Sequence, residues 1–519
     1  RGAPPNATYI FKHALVQDTA YSSLLRSRRQ RIHADIAGAL AELFADQFDA
    51  APAIIAHHYT EAGLNGPAAR HWLKAAELAL SHSALAEAGR YVDAGLALSR
   101  HLMDEADRQS LELALQLVRA NALLPLKGYS QPETVAALIA AKQLLDAGAG
   151  SDLQHFSVLF GLCAASVAAA QMEPALTLAR QLVELADRQD DTTYRLVGYR
   201  VLGTMQFYTG HAGEALEILQ QAERYRVPGR QSLLSSRFGG DPELIVLGFK
   251  VLALMFIGLE EQAARVSKQV LAELSDHSHA STVASCTFLT ALWREFLFGD
   301  LEACERRSAD LVAYCTEKKV EQFRLFGCIF RAYARAMQEP TGENIVAIRA
   351  AIDAEHQSGA RIFDSVYISQ LAEALLMAGD LDAAEAAVCE GLIFVEQSGE
   401  RFWLAELYRL SGRIRLRRPE PECARADACF LRAIEIARSQ EARLLELRAA
   451  TDLARLWRDS GSGGDASALL EPILAAVEGG ETTPEFRTAR AFLAELTLSP
   501  PRILKAGSAH ATSSPSIDR

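Results

Sequence analysis

The sequence predicts an all-α fold made of repeated helical hairpins, and three observations support this prediction. Ala, Leu, Arg and Glu dominate the composition, and only 7% of the residues are aromatic. The dominant residues lose little side-chain freedom in a helix and favour helix over strand. The 519 residues exceed what one hydrophobic core usually supports, so several domains or a repeat array is expected. Apolar residues also recur at helical spacing on both sides of regularly placed glycines.

Each hairpin is marked by a glycine that is followed, five residues later, by an alanine. The first helix carries an apolar stripe that must be buried. The glycine ends that helix where a left-handed backbone is needed, and the alanine lets two helices cross closely. The four clearest copies are Ile55, Ala56, Tyr59, Gly63, Ala68, Trp72 and Ala75; Tyr199, Leu202, Gly203, Gly210, Ala215, Leu219 and Ala222; Ile368, Leu371, Ala372, Leu375, Gly379, Ala384 and Val388; and Leu453, Ala454, Trp457, Gly461, Ala466 and Leu470.

One such hairpin cannot bury its own stripe, so it needs a neighbour on each side. The pattern resembles the tetratricopeptide repeat, whose unit is about 34 residues long. The resemblance implies a tetratricopeptide-like α-solenoid, a right-handed superhelix of helical hairpins. Weaker copies lie around Gly258 and Ala263, around Gly299 and Cys304, and at Ala426. A generic helical bundle is the alternative, but a bundle has no reason to repeat the offset between glycine and alanine.

The chain divides into five predicted segments. Residues 1–48 precede the first clear repeat, residues 49–226 hold the N-terminal repeats, and residues 244–498 hold the C-terminal repeats. Between the two arrays, residues 227–243 are rich in Gly, Ser and Pro, which predicts a long loop. Residues 499–519 are of low complexity and predict a disordered tail.

Charge and cysteine usage limit the compartment and the partners. The formal net charge of −12 argues against nucleic-acid binding, which depends on neutralising phosphates. The eight cysteines form no C-x-x-C pair, and most lie in apolar helical runs, which is typical of a reducing compartment. The most apolar run, residues 158–170, is shorter than the roughly 20 residues that span a membrane. No signal peptide is evident, so a cytoplasmic location and no membrane partner are expected.

The motif search predicts no catalytic, cofactor-binding or metal-binding residue in this chain. The dipeptide Gly-Lys of a phosphate-binding loop never occurs, and H-E-x-x-H and G-x-S-x-G are missing. The nearest histidine pairs are His57 with His58 and His277 with His279. Such neighbours point apart on a helix and cannot share a metal unaided, so they are expected to be ordinary surface or core residues.

Four arginines cluster near the start of the chain, on a helix expected between Tyr21 and Leu40. They could bind phosphate or RNA, or they could form a solvated face beside an apolar stripe. The solvated face is favoured because the chain is acidic overall. The arginines are Arg26, Arg28, Arg29 and Arg31, and the stripe is Leu24, Leu25, Ile32 and Ile36.

The two ends of the chain resemble parts of large bacterial signalling proteins. The stretch "YIFKHALVQDTAYSSLLRSRRQRIHADIAGAL" is similar to the junction between a P-loop ATPase module of the signal-transduction (STAND/AAA-like) type and a tetratricopeptide region. The stretches "GERFWLAELYRLSGRIRLR" and "ACFLRAIEIARSQEARLLELRAATDLARLWRDSG" are similar to the C-terminal region of the same proteins. The junction residues that fit are Phe11, His13, Leu15, Tyr21, Leu24, Arg29, His33, Ile36 and Ala37.

Many proteins of this kind carry an N-terminal class III adenylate/guanylate cyclase domain before the ATPase module. The resemblance therefore implies that residues 1–48 end an ATPase module, with a winged-helix-like remnant. It also implies that ATP and Mg²⁺ belong only to upstream domains. The expected function is a non-catalytic regulatory or sensor arm whose partners are a protein, peptide or small effector and its own upstream ATPase and cyclase domains. The alternatives are a stand-alone scaffold for protein–protein interaction, the arm of an ATPase-type transcription regulator, and a cryptic enzyme.

In this class of repeat, inward positions of the first helices line a groove, so inward residues of two helices are the predicted binding residues. Arginine and aromatic side chains there suit an acidic or carboxylate-bearing partner. The alternative is that these arginines pair with glutamates of the chain itself. The predicted groove residues are Arg200, Thr204, Phe207 and Tyr208, and Arg448, Thr451, Arg455 and Arg458.

Overall fold

A computed structural model describes residues 19, 21–43, 52–82, 84–127, 131–189, 191–227, 238, 240–274, 279–476 and 483–498. In these ranges every regular element is helical. The predicted tail, Phe11, His13, Leu15, His277 and most of the predicted 227–243 loop lie outside the described residues. Among the described residues, no helix is long and apolar enough to cross a membrane.

The helices follow one another as antiparallel hairpins, which is the predicted tetratricopeptide-like solenoid pattern. Their bounds are α1 Arg26–Leu43, α2 Pro52–Ala62, α3 Asn65–Ser81, α4 Leu85–Ser99, α5 Glu105–Lys127, α6 Pro132–Asp146, α7 Asp152–Ala168, α8 Met172–Arg188, α9 Thr192–Tyr208, α10 Ala212–Glu223, α11 Pro242–Phe256, α12 Glu260–Leu274, α13 Ala280–Cys286, α14 Trp293–Leu297, α15 Leu301–Lys318, α16 Glu321–Gln338, α17 Gly342–Gln357, α18 Asp364–Ala378, α19 Leu381–Ser398, α20 Leu404–Arg417, α21 Cys423–Ser439, α22 Arg443–Asp459, α23 Gly463–Ala475 and α24 Pro484–Leu498. A π-helical turn, Thr287–Leu292, joins α13 to α14.

The offset between glycine and alanine has the structural role that the sequence predicted. The four marker glycines, Gly63, Gly210, Gly379 and Gly461, have φ angles of 74°, 88°, 85° and 92°, a region that favours glycine. The alanines five residues later are fully buried; they are Ala68, Ala215, Ala384 and Ala466. The helical hairpin is therefore encoded by a left-handed helix end and a small residue at the helix crossing.

The helices form two compact units. The first contains α1–α8, the start of α9 up to Gly198, and residues 356–362. Small residues bring its helices together: a Cβ on Gly95 of α4 would lie 2.8 Å from the side chain of Leu115 on α5. The segment 356–362 is tied into this unit because the Arg361 amide donates to the Ala168 carbonyl at 2.7 Å.

The second unit contains the chain from Tyr199 to Glu355 and from Phe363 onward. Aromatic rings from several of its helices pack against one another in a buried core. Phe207 on α9, for example, lies 5.1 Å from Phe402, and Trp293 lies 6.0 Å from Trp403, measured between ring centroids. The other buried members of this aromatic core are Tyr208, Phe249, Phe256, Phe288, Phe296, Phe326, Phe330, Tyr333, Phe363 and Tyr367.

A buried carboxylate fixes the start of α18. Phe363, the residue before this helix, has a left-handed φ of 69°, which is strained for a residue other than glycine. Glu400 is fully buried and accepts hydrogen bonds from the Phe363 amide at 2.8 Å and from the Ser365 amide at 3.2 Å. The Ser365 hydroxyl donates to the same carboxylate at 2.5 Å. Burial raises the pKa of Glu400 to about 7 even though these donors oppose the shift.

The cysteines and the N-terminal arginine cluster, for which the sequence predicted an environment, lie in the described part of the chain. All eight cysteines are free, and half of them are buried. The arginine cluster lies on α1, where Arg26, Arg28 and Arg31 are exposed. The predicted apolar stripe of this helix is also largely accessible, with Leu25 77% exposed.

Candidate functional site

The second unit contains a partly open cavity of about 360 Å³ that is lined by charged and aromatic side chains. Its walls come mainly from successive first helices of the hairpins, α16, α18, α20 and α22, together with residues at the end of α14 and the start of α24. This volume lies in the range of small-ligand pockets, at its lower end. The charged lining residues are Glu373, Glu406, Arg409, Arg448, Asp452, Arg455 and Glu485, and the aromatic ones are Phe296, Tyr333 and Trp403.

The centre of the cavity wall is an ion pair on α20. Nε and Nη2 of Arg409 donate to the two carboxylate oxygens of Glu406 at 3.0 and 2.5 Å. Its Nη1 donates to Asp452 of α22 at 2.6 Å. Burial opposes ionisation of Glu406, but the charge and hydrogen bonds of Arg409, with the charge of Arg448, hold its pKa down to about 2. Burial also opposes the charge on Arg409, and Glu406 and Asp452 nevertheless raise its pKa above the usual value.

A second carboxylate joins three helices. Glu373 of α18 accepts from the Tyr333 hydroxyl of α16 at 2.8 Å and from Nη1 of Arg413 of α20 at 2.8 Å. Burial first, and then the neighbouring charge of Glu373, raises the pKa of Tyr333. Tyr333 is therefore a neutral hydrogen-bond donor at physiological pH.

Arg448 connects the cavity to the irregular helix that contains the π-helical turn. Its guanidinium donates to the carbonyl oxygen of Leu297, the last residue of α14, and to Glu485 of α24 at 2.8 Å. A helix C-terminus has unsatisfied carbonyls and favours a cation. The preceding π-helical turn, Thr287–Leu292, inserts an extra residue into the helix, a feature that is frequent at functional sites. Burial opposes the charge of Arg448, but Glu485 and Glu406 raise its pKa.

Two groups on the cavity wall have unused hydrogen-bonding capacity. Gln370 of α18 is 1% exposed, and neither its amide nitrogen nor its amide oxygen has a hydrogen-bond partner among the described residues. One carboxylate oxygen of Glu485, Oε2, is likewise buried without a partner there. An unpaired buried polar group costs about 1–3 kcal/mol, so such groups are rare in folded proteins. Both residues line the cavity, so a ligand bound there is one source of the missing hydrogen bonds.

The structure separates the eight predicted groove residues into two sets. Phe207 and Tyr208 are 0% and 4% exposed and belong to the aromatic core, and Arg200 and Thr204 are also buried. In contrast, three of the four residues of the C-terminal set lie at the cavity. They are Arg448, Thr451 and Arg455, which line the wall. Arg458 lies outside the lining and contacts the ring of Phe492, with 4.9 Å from its Cζ to the ring centroid.

Several site residues were missed by the sequence reasoning, and four of them are Gln370, Glu373, Glu406 and Arg409. All four lie on the first helices α18 and α20, and their spacing of three residues keeps each pair on one helix face. That spacing is a usable signal, because Arg448, Asp452 and Arg455 on α22 are separated by four and three residues, which also keeps them on one helix face. The predicted groove residues included no carboxylate. The pairing of the arginines with acidic side chains was considered only as the alternative to a binding role.

A histidine cluster lies in the first unit. His33 of α1 and His58 of α2 approach each other with 2.8 Å between their Nδ1 atoms, and the Tyr21 hydroxyl lies 3.0 Å from Nε2 of His33. Burial, followed by the charges of His33 and His57, lowers the pKa of His58. Within the part of the chain that the structure describes, no group of three or more His, Cys, Asp or Glu residues has a geometry that could hold a metal ion.

Comparisons with known proteins establish no family for this chain. No protein-family model matches the sequence. An uncharacterized protein of Rhizobium meliloti (strain 1021) is 23% identical over 455 residues, which cover 87% of this chain and 44% of that protein. The chain therefore spans less than half the length of this curated relative.

Several solved structures are similar to this chain at low sequence identity. A Rap protein complexed with competence and sporulation factor is 10% identical, with a TM-score of 0.41, and the match covers 83% of this chain and 99% of that one. The quorum sensor NprR from B. thuringiensis is 14% identical, with a TM-score of 0.36 and coverage of 79% and 98%. The Cut9–Hcn1 assembly of APC/C is 12% identical, with a TM-score of 0.42 and coverage of 93% and 98%. At these values the similarities assign no function to the chain.

Proposed function

We propose that this chain is a non-catalytic regulatory arm that binds a protein segment, peptide or small effector in the cavity of the second unit. The observation that carries the proposal is the buried amide of Gln370 on the wall of that cavity, which has no hydrogen-bond partner in the described part of the chain. Around it, the side chains are held in place by the ion pairs of Glu406, Arg409 and Arg448. A preorganised polar wall of this kind favours binding, because little side-chain entropy is lost when a ligand enters.

The larger protein that we propose is a bacterial signalling protein with an upstream ATPase module and a class III adenylate/guanylate cyclase domain. This part rests on the resemblance of the two chain ends described above. The coverage of only 44% of the Rhizobium meliloti relative is compatible with further domains in proteins of this kind. Effector binding would act by favouring one nucleotide-dependent state of the upstream module. A cytoplasmic location follows from the same proposal.

The proposal can be tested with two substitutions at neighbouring exposed positions on α24. Thr488 lines the cavity and is exposed, so Thr488→Trp should obstruct the opening without disturbing the core. Arg487 is exposed and does not belong to the lining, so Arg487→Trp is the matched control. Both variants should keep the helical circular dichroism spectrum of the wild type.

The assay uses the chain together with its natural upstream sequence. Cyclase and ATPase rates are measured with and without cytosolic extract for the wild type, a form without the repeats, and the two variants. We expect an extract-dependent change of rate that is lost in the repeat-deleted form and in Thr488→Trp and is kept in Arg487→Trp. Equal rates in all four proteins under both conditions would refute a regulatory role. An upstream sequence without a phosphate loop or paired metal-binding aspartates would favour the scaffold alternative.

A further inference from the structure

The charges that line the cavity already neutralise one another, which limits the ligands it attracts. The guanidinium of Arg409 is paired with the carboxylates of Glu406 and Asp452. Glu373 is neutralised by Arg413, which contacts it from outside the lining. The remaining arginines have carboxylate partners as well: Arg448 donates to Glu485, and Arg455 donates to Asp452 at 3.3 Å. Among the described residues every arginine and every carboxylate of the wall has an opposite charge beside it, so charge alone favours neither an acidic nor a basic ligand. The atoms with unused hydrogen-bonding capacity therefore decide which ligand fits.

The unused hydrogen-bonding capacity specifies the complementary ligand. Oε2 of Glu485 is a carboxylate oxygen and can only accept, so it requires a donor, and a cationic donor forms the stronger bond. The Gln370 amide can donate and accept, so it matches another amide group. A ligand that satisfies both residues carries a guanidinium or ammonium group and an amide.

The volume of the cavity and its aromatic lining further limit the class of ligand that fits. A volume of about 360 Å³ accommodates one amino-acid residue or a very short peptide. The aromatic walls formed by Phe296, Tyr333 and Trp403 suit an alkyl stem and can place a ring face near a cation. These three features describe an arginine or lysine residue whose carboxyl group is in amide linkage.

We infer that the cavity binds a basic amino-acid residue in amide form, with its cation on Glu485 and its amide on Gln370. The inference rests on the proposed function, since it names the ligand class of the same site. Two sources share this chemistry, a free basic amino-acid amide and a basic residue within a peptide. The test therefore contains one probe for each source.

The test is titration calorimetry on the full chain with small probes. Nα-acetyl-argininamide should bind at least tenfold more tightly than Nα-acetyl-citrullinamide, its neutral analogue, and the acidic probe Nα-acetyl-glutamic acid amide should bind more weakly than either. Binding of the arginine probe should weaken as salt is raised from 0.05 to 0.5 M, because the attraction to Glu485 is screened. A capped Ala-Arg-Ala peptide binding more tightly than Nα-acetyl-argininamide would identify a peptide source; the reverse order would identify a free small molecule.

Variants connect the binding to the two residues. Glu485→Gln and Gln370→Leu should each weaken the arginine probe at least tenfold. Gln322→Leu is the matched control, because Gln322 also has an unpartnered amide nitrogen among the described residues but lies outside the lining. It should bind the probe like the wild type. If Gln370→Leu does not fold, the isosteric variant Glu485→Gln still tests whether the cation of the probe binds at Glu485.

The outcomes also separate this inference from the proposed function. Equal binding of the arginine and citrulline probes, or no effect of Glu485→Gln, would overturn the cationic ligand. Preferential binding of the acidic probe, with loss in Gln370→Leu, would overturn the ligand class and leave the cavity as an effector site. If none of the probes binds, the inference about the ligand is wrong. The proposed function is then tested separately, by whether Thr488→Trp abolishes the extract-dependent change in cyclase and ATPase rates.

Discussion

Replacing Glu400 with glutamine should change how the stability of the chain depends on pH. Glu400 is fully buried, and burial raises its pKa from the ordinary 4.5 to about 7. Between these two values the carboxyl group is ionised in the unfolded chain and protonated in the folded chain. The unfolded state then binds fewer protons, so the free energy of unfolding falls as the pH rises. The stabilising contribution is complete below pH 4.5 and is lost as the pH approaches 7.

The size of the effect follows from the same two pKa values. One pKa unit corresponds to 1.36 kcal/mol, so the difference between 4.5 and about 7 corresponds to about 3 kcal/mol. A glutamine does not titrate and removes this contribution to the pH dependence. Glu400→Gln should destabilise the chain most at low pH, and its deficit relative to the wild type should shrink by about 3 kcal/mol between pH 4 and pH 8.

The measurement is urea unfolding at pH 4, 5, 6, 7 and 8, followed by tryptophan fluorescence. Trp293 and Trp403 are buried in the aromatic core and report on the second unit, which also contains Glu400. Glu396→Gln is the control, because Glu396 is an exposed carboxylate on the same chain segment. Its difference from the wild type should stay within about 0.5 kcal/mol at every pH. A Glu400→Gln difference that is constant with pH, or that grows as the pH rises, would refute the reasoning.

Substitutions at three further positions, Arg409, Gly412 and Phe402, test the core and the ion pairs of the second unit by urea unfolding at pH 7. Arg409→Met leaves the buried Glu406 and the partly buried Asp452 without the Arg409 cation and should cost about 3–5 kcal/mol, and Arg409→Lys should recover little because lysine cannot form the paired hydrogen bonds. Gly412→Ala should cost about 1–3 kcal/mol, since the added Cβ would lie 2.5 Å from the Phe430 ring; the control Gly464→Ala, with open space around its Cβ, should be neutral or slightly stabilising. Phe402→Ala should cost about 3–5 kcal/mol through loss of aromatic packing. Costs below about 0.5 kcal/mol would show that these contacts do not hold the unit together.

The helical hairpins were predictable because their signals are local. A glycine such as Gly210 and the alanine at position 215 are separated by only five residues, and both roles follow from backbone conformation and side-chain size. The closure of the inward face around Phe207 and Tyr208 was not predictable in this way. Their partner Phe402 is distant in the sequence, and no spacing rule connects the two segments.

The candidate site was predicted only in part, for a similar reason. The register of α22 predicted that Arg448 and Arg455 share one face of the helix, because helical periodicity decides that, and both residues line the cavity. The groups that meet these arginines come from other hairpins, such as Glu485. The alternative that the arginines pair with glutamates of the chain is confirmed at Arg448. The unpartnered amide of Gln370 could be recognised only from three-dimensional packing, since glutamine is common on helix surfaces.

The aromatic core of the second unit also determines how that unit gains and loses its structure. In most repeat proteins each repeat touches only its neighbours, so terminal repeats can fray or be removed independently. Here Phe207 contacts Phe402, and Arg448 bonds to Leu297, across long stretches of intervening chain. Such distant contacts raise the contact order, which slows folding and makes unfolding more nearly all-or-none. Deleting one terminal hairpin should therefore destabilise the whole unit instead of merely shortening it.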